Sequence, residues 1–298
     1  MVQQISPLDF ANAPIPAKAG IGLKFDHIAE IIETRPDVAW FEIHAENFMS
    51  RGGPALWSLE QIRQSYPISV HGVGMSLGGA DPLSKDHLKR LKTLVDRIEP
   101  GLVSEHLAWC GRGGAFYNDL LALPMTAEAL DVVCAHVGEV QDTLGRQILI
   151  ENPAAYLGFE TTDMSEPEFL NALCKRSGCG LLFDVNNVFV SSSNLEFEVT
   201  AYLDALEFSN IQEVHLAGHH VREVNGEILR IDDHGSPVKP EVWELYLTVL
   251  RQTGELPSLI EWDTNVPTLD VLVAEATKAQ AYLDTLSLPE EQFHAATA

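Results

Sequence analysis

QILIENPAAYLGFETTDMSEPEFLNALCKRSGCGLLFDV, residues 147–185, holds a complete strand–helix–strand unit. It opens on the short apolar run QILIE (147–151) and closes on a second, GLLFDV (180–185), both of strand character. Between them Ser165 and Glu168 have capping-box spacing, which predicts a helix over 166–176. Strands joined through a helix run parallel, so the unit predicts a parallel sheet with helical crossovers.

The same unit repeats outward in both directions. Strand segments precede it at IGLK (21–24), VAWFEIHA (38–45), ISVHG (68–72) and LVSEHLA (102–108), and follow it at IQEVHLA (211–217) and SLIEW (258–262). Helical periodicity fills the gaps. Leu88, Leu91, Leu94, Val95 and Ile98 share a face behind a Ser84 cap, and Leu130, Val133, Val137 and Val140 share one behind Thr126. Further helical patterns occupy 26–34, 55–65, 198–207, 240–252 and 268–286. Eight strands and eight helices in strict alternation predict an α/β chain closed into a (β/α)8 TIM barrel. No GxGxxG follows a strand and opens a helix, which removes the main support for a dinucleotide fold. The expected organisation is a loose arm over 1–19, a single metal-dependent catalytic barrel over 20–286 and a polar, Ala-rich flexible tail over 287–298.

A formal net charge of −24 repels a phosphate backbone, so nucleic acid and anionic membrane are poor partners. There is no apolar run of about 18 residues to cross a bilayer. Residues 1–20 lack a basic start followed by an apolar stretch, so no signal peptide is read. Cys110, Cys134, Cys174 and Cys179 are too few and too scattered for a disulfide framework. Reduced thiols and a cytoplasmic location are expected.

The chemistry stands at the strand ends. Strand three delivers His71, strand four Glu105 and His106, strand five Glu151, strand six Asp184, strand seven His215 and strand eight Glu261. A barrel's C-terminal rim is where active sites are built. A single strand-end histidine is more often a satisfied polar residue than a ligand. Several carboxylates converging without Lys or Arg are different, because unpaired buried charge is costly and a metal ion neutralises it. In the loop after strand seven, Asp232 and His234 can aim a carboxylate and an imidazole to one side, with Gly235 relieving the turn. His219 and His220 read equally well as solvated loop residues. Asn186 and Asn187 read equally as caps or as amide ligands. His71, His106, Glu151, Asp184, His215, Asp232, His234 and Glu261 exceed what one four-coordinate site needs, so at least two metals are implied. Ligand chemistry alone does not rank iron, manganese and zinc.

At these residues the chain resembles a known family. GIGLK (20–24), WFEIHAENFM (40–49), VHGVGMSLG (70–78), SEHLAW (104–109), NDLLALPMT (118–126), IENP (150–153), FDVNNV (183–188), VHLAGHH (214–220), DDHGSPV (232–238) and IEWD (260–263) are similar to the multinuclear non-haem iron-dependent oxidative enzymes of methanobactin and bufferin biosynthesis. The resemblance spans about residues 20–285. It implies a xylose isomerase-like barrel that binds two or three irons, in mixed Fe2+ and Fe3+ states, and uses O2 as co-substrate. It implies oxidation of cysteine residues in a ribosomally made precursor peptide, commonly brought by a presenter protein encoded nearby. Carried over, His71, His106 and Glu151 would hold one iron, and Glu151 with Asp184, His215 and Glu261 a second. These six make the catalytic set, while Asn187, Asp232 and His234 would hold a third iron. Asp233 departs from the small or hydroxyl residue common at its position.

Two other classes remain open at this stage. A divalent-metal isomerase or hydrolase of the xylose isomerase or endonuclease type would use a similar ligand set. The acidity opposes a nuclease, and the absence of a strand-end Lys opposes a sugar isomerase. A non-catalytic metal-binding scaffold would be expected to show gaps among the ligands, and none of the eight positions is missing.

Overall fold

The computed structural model describes residues 15–286. Residues 1–14 of the arm expected over 1–19, and the tail expected over 287–298, lie outside them. In chain order the strands are β1 (Ala19–Gly22), β2 (Phe41–His44), β3 (Ile68–Gly72), β4 (Leu102–His106), β5 (Trp109–Arg112), β6 (Ala115–Leu121), β7 (Leu149–Glu151), β8 (Gly180–Asp184), β9 (Ile211–Leu216), β10 (His220–Val224), β11 (Glu227–Ile231) and β12 (Ser258–Ile260). Eight of them close a parallel barrel in the order β1-β12-β9-β8-β7-β4-β3-β2, with β1 pairing β2 to complete the ring. The chain therefore has the (β/α)8 fold.

Outside the ring run α1 (Ile28–Thr34), α2 (Pro54–Arg63), α3 (Lys85–Ile98), α4 (Ala127–Leu144), α5 (Glu166–Ser177), α6 (Val185–Leu195), α7 (Val199–Ala205), α8 (Pro240–Thr253) and α9 (Leu269–Thr285). Their starts follow local chemistry. The Ser84 and Thr126 side chains accept from the backbone N–H of His87 and Ala129, and the Ser165–Glu168 capping box is formed. Among the described residues no helix is long and apolar enough to cross a membrane.

Strand alternation divides each barrel strand between two environments. Ile43, Val70, Val103, Ile150, Phe183, Val214 and Ile260 face outward and pack in the main core beneath the helices. Inside the barrel, a separate apolar cluster of Ile15, Trp40 and Leu259 forms the floor at the N-terminal end. Ile15 and Ala19 fall in the stretch read as an arm, yet Ile15 is buried in this floor and Ala19 begins β1. The first strand is thus set two residues earlier than IGLK.

Above the floor the interior turns polar. The register aligns His44 with His71, His106 with Glu151 and Asp184 with His215, so the last inward-facing residues of neighbouring strands lie level.

Strict alternation of one strand with one helix does not hold. Two antiparallel hairpins, β5–β6 and β10–β11, rise from the C-terminal ends of β4 and β9. An additional helix, α6, starts directly at the end of β8. Its N-cap is Asp184, whose Oδ1 accepts from the Asn187 N–H at 2.6 Å. The Ser-rich run at 191–193 hid this helix from its periodicity.

Gly218 carries the turn out of β9 against the loop 232–238. A Cβ there would overlap the carbonyl oxygens of both Ser236 and Pro237. Both neighbours are backbone, so Gly218→Ala is expected to cost about 1–3 kcal/mol through overpacking. The loss would be read as a lower Tm in thermal denaturation. An unchanged Tm would show that the 232–238 loop yields freely.

Candidate metal centre

The strand ends bring six of the nine expected ligands into one buried layer. Glu151 stands at its middle, with one per cent of its surface exposed. Its Oε2 lies 3.2 Å from His71 Nε2 and 3.2 Å from His106 Nε2, and the two imidazole nitrogens are 3.4 Å apart. On the other side, Glu151, Asp184, His215 and Glu261 bring ligand atoms within 4.8 Å of one another. The two groups share Glu151.

Each imidazole of the first group is tied by its second nitrogen. His106 Nδ1 sits 3.2 Å from the Gly72 carbonyl and His71 Nδ1 2.8 Å from Ser104 Oγ. A bond to a carbonyl leaves Nδ1 of His106 as donor and frees Nε2 as the ligating atom. Asp184 is divided in the same way. Its Oδ1 caps α6, while Oδ2 is buried without a hydrogen-bond partner.

Around this layer, His234 Nδ1 lies 3.4 Å from Glu261 Oε2 and His234 Nε2 2.6 Å from Asp232 Oδ1. His234 takes a left-handed backbone, φ 46°, which is strained for a residue with a side chain. The loop is held there by Asp263 N–H on the His234 carbonyl and Thr264 Oγ1–H on the Asp233 carbonyl. Asn187 does not join Asp232 and His234 in this arrangement. Its amide nitrogen donates to Glu151 Oε1 at 3.3 Å and to the Asn152 carbonyl at 3.0 Å. Asn186 is the asparagine that reaches Asp232, donating at 2.7 Å, and it holds His219 Nδ1 at 2.8 Å.

Glu105 faces away from the centre. Strand alternation puts it opposite His106, where it accepts from the Met75 and His106 N–H groups. Two residues that the strand ends did not flag are His44 and Asp263. His44 Nε2 lies 3.6 Å from Glu261 Oε1 and 3.8 Å from Asp263 Oδ1. The alternation of WFEIHA carries the signal for His44, since Glu42 and His44 share the inward face.

Does this donor set fit a metal? Glu151 Oε2 and Asp184 Oδ2 are buried without a hydrogen-bond partner. No Lys or Arg lines the cavity of about 660 Å³ above them. Lys24, the nearby cation, is committed to Asp263 at the edge. Burial pushes the Glu151 carboxyl well up. For Glu261 burial acts upward too, but His234 and His215 beside it hold it well below the usual range. Imidazoles and carboxylates with no other neutraliser suit a divalent ion of borderline character. A second cavity of about 430 Å³ lies between the 153–167 segment and α6–α7; its wall is mostly apolar, with Thr162, Ser165, Glu166, Ser191, Glu198 and Tyr202 among its polar lining, and it gathers no ligand cluster.

The metal-free protein carries a pH signature of this design. Burial and then the Asp232 charge push Asp184 up to about 7, and burial followed by the Glu46 charge pushes Glu105 up to about 8. Both hold protons in the fold that the unfolded chain has released, so stability falls as pH rises toward those values. Burial pushes His106 down to about 4, which acts the opposite way, but only up to its ordinary 6.5. Between pH 6.5 and 8 the carboxylate effect remains. Chelator-treated protein is expected to lose stability across that window, by up to about 1.4 kcal/mol per pH unit for each titrating group. Added divalent metal, which replaces the Asp184 proton but not that of Glu105, should reduce the slope in thermal scans. A metal-free Tm that rises across the window would contradict the account.

Comparison with known proteins agrees with this geometry. The model of the RiPP precursor modification enzyme family MbnB/TglH/ChrH matches residues 18–284. A UPF0276 protein of Paraburkholderia phytofirmans is 45% identical, with 96% of this chain and 92% of the relative covered. Among solved structures, endonuclease IV of Thermus thermophilus superposes with a TM-score of 0.59 at 16% identity, covering 90% of this chain and 99% of that one. A xylose isomerase domain protein of Planctomyces limnophilus gives 0.54 at 12% identity, covering 92% and 97%. At such identities these two structures speak for the barrel alone, which is of the xylose isomerase type. The match over nearly the whole barrel, with a relative aligned over almost all of its length, places the chain in the MbnB/TglH/ChrH family of RiPP precursor modification enzymes.

Proposed function

We propose that the chain is a multinuclear non-haem iron enzyme that uses O2 to oxidise cysteine residues of a ribosomally synthesised precursor peptide. The observation that carries the reading is Glu151, shared between two buried ligand groups at the floor of an open cavity. One carboxylate common to two groups is the arrangement of a multinuclear centre. His71, His106 and Glu151 would hold one iron, and Glu151, Asp184, His215 and Glu261 a second. Asp232 and His234 would take part in a third, with Asn187 entering only after its amide leaves Glu151.

When bound, the irons would supply open coordination positions for a substrate thiolate and for O2 and would relay electrons from the substrate to O2. The rest is the work of the chain. The barrel strands hold the ligands with little freedom to move, so the ligand geometry is preorganised. Phe116, Tyr117, Leu120 and Tyr156 line the cavity and offer apolar and aromatic surface to a peptide. Asp119, Asp232 and Asp233 make its rim acidic, which favours a substrate segment with basic residues.

The chain's net charge of −24 extends that preference, so a presenter protein or a basic leader segment would supply most of the peptide's affinity. The enzyme would act in the cytoplasm, where substrate thiols stay reduced. The fold neighbours give a hydrolase or isomerase reading no support beyond the barrel itself.

The test is anaerobic loading with Fe2+, followed by O2 and a cysteine peptide encoded beside the gene. Oxygen consumption coupled to a mass change confined to the cysteine is expected; uptake of iron with no peptide product would reject the reading. Glu151→Gln keeps the shape and removes the shared charge. It is expected to reduce bound iron to one equivalent or less and to lower turnover by about a hundredfold or more. Full iron content in that variant would show that Glu151 is not shared. Cys110 lines the cavity, with its N–H on Ser76 Oγ and Sγ 3.7 Å from the Gly74 carbonyl. Because the ligand set is complete without thiolate, Cys110→Ser should retain its iron as measured by elemental analysis.

A further inference from the structure

Beneath the ligand layer the barrel interior holds a second polar group that the proposed function does not use. Glu42 on β2 and Glu213 on β9 are two per cent and zero per cent exposed, and both approach His215 from below. Glu42 Oε1 lies 3.3 Å from His215 Nε2. The other nitrogen, Nδ1, lies 3.0 Å from Glu261 Oε2 in the ligand layer. His215 therefore spans the two levels.

His71 and His106 show the same plan, with one nitrogen toward the centre and the other on Ser104 Oγ or the Gly72 carbonyl. For His215 the corresponding inner partner is a carboxylate. We propose that Glu42 is a positioning residue: it accepts Nε2–H of His215 and so presents the Nδ1 lone pair to the metal centre. A ligating imidazole needs its other N–H engaged, or the ring turns and its tautomer is not set. An anionic acceptor binds that N–H more strongly than a hydroxyl or carbonyl and raises the basicity of the ligating nitrogen. Glu42 is well placed for the task, because the barrel wall encloses it and its Oε2 has no competing hydrogen bond. Glu213 and Ser69 lie alongside, with Glu213 Oε1 and Oε2 and Ser69 Oγ likewise unpartnered. The cluster therefore has a rival use, as a cation site in its own right. The inference rests on the metal-centre reading, but on neither the identity of the metal nor the oxidation of cysteine.

The experiment uses the full chain loaded with Zn2+, a diamagnetic stand-in for the resident metal, with histidine labelled by 15N. Wild type should show a slowly exchanging Nε2–H signal from His215. Glu42→Leu should lose that signal and weaken Zn2+ binding by about 10–100-fold, with circular dichroism unchanged. Leucine removes the acceptor and its charge but leaves Nε2–H of His215 unpartnered, so circular dichroism checks that the fold survives and Glu42→Gln serves as the folded control. Glu42→Gln, whose amide oxygen can still accept, should restore the signal and most of the affinity. An unchanged signal in Glu42→Leu, with affinity altered by no more than about twofold, would overturn the proposal. So would the loss of one whole zinc equivalent in both Glu42→Gln and Glu213→Gln, which would assign the cluster an ion of its own. Wild type that takes up no metal would remove the metal-centre reading and this inference with it. A wild type that binds zinc normally but, loaded with Fe2+ instead, fails to oxidise peptide would remove only the function.

Discussion

A carboxylate enclosed by a barrel, with two imidazole nitrogens 3.2 Å from one oxygen, has to be neutralised by something. Glu151 is in that position, and Asp184 and Glu261 crowd it from the other side. Removing such charges from water costs several kcal/mol each even after relaxation. Where Lys or Arg would serve in an ordinary core, none lines this cavity. The architecture around Glu151 follows from that demand. Two histidines and a helix-capping aspartate are brought within reach of it, and a strained loop histidine meets Glu261 beside it. Backbone that would be unfavourable elsewhere, such as the left-handed His234, is held there by hydrogen bonds from the 263–264 segment.

The cost of a polar interior is met by the rest of the barrel. The floor of Ile15, Trp40 and Leu259 closes the N-terminal end, and the apolar outward faces of the strands pack under nine helices among the described residues. Stability and chemistry are set on opposite faces of the same strands. Asp184 shows how closely they meet, with one oxygen beginning a helix and the other facing the centre.

Much of this was legible in the residues because the barrel makes a strand's last inward position predictable. His71, His106, Glu151, Asp184, His215 and Glu261 each close an apolar run, and the strands place them at one level. The hairpins were not legible. β10–β11 reads as a polar loop with isolated Val221, Val224 and Ile228, since a two-stranded ribbon at a rim buries neither face fully. α6 was missed because Asp184 both ends a strand and starts a helix, leaving no connecting segment to mark a boundary. Asn187 shows a third kind of limit. Its position in FDVNNV brings it to the cavity, but the direction of its amide depends on Glu151 and Asn152, which are distant in sequence.

The structural neighbours show why the barrel alone does not decide the chemistry. An endonuclease and a xylose isomerase domain protein share the barrel fold at 12–16% identity, so the fold by itself is compatible with several reactions. What narrows the choice is how the ligands are connected. A hydrolytic site needs a metal-bound water and a base, and an isomerase needs a group to polarise a carbonyl. This centre devotes its carboxylates to joining ligand groups, and around the mouth it places Phe116, Tyr117 and Tyr156 with a cluster of aspartates. Acidic surface around the opening repels a nucleic acid backbone, and with the aromatic rings beside it suits a peptide with basic and apolar side chains. The family membership and the mouth therefore point to the same class of substrate from independent observations.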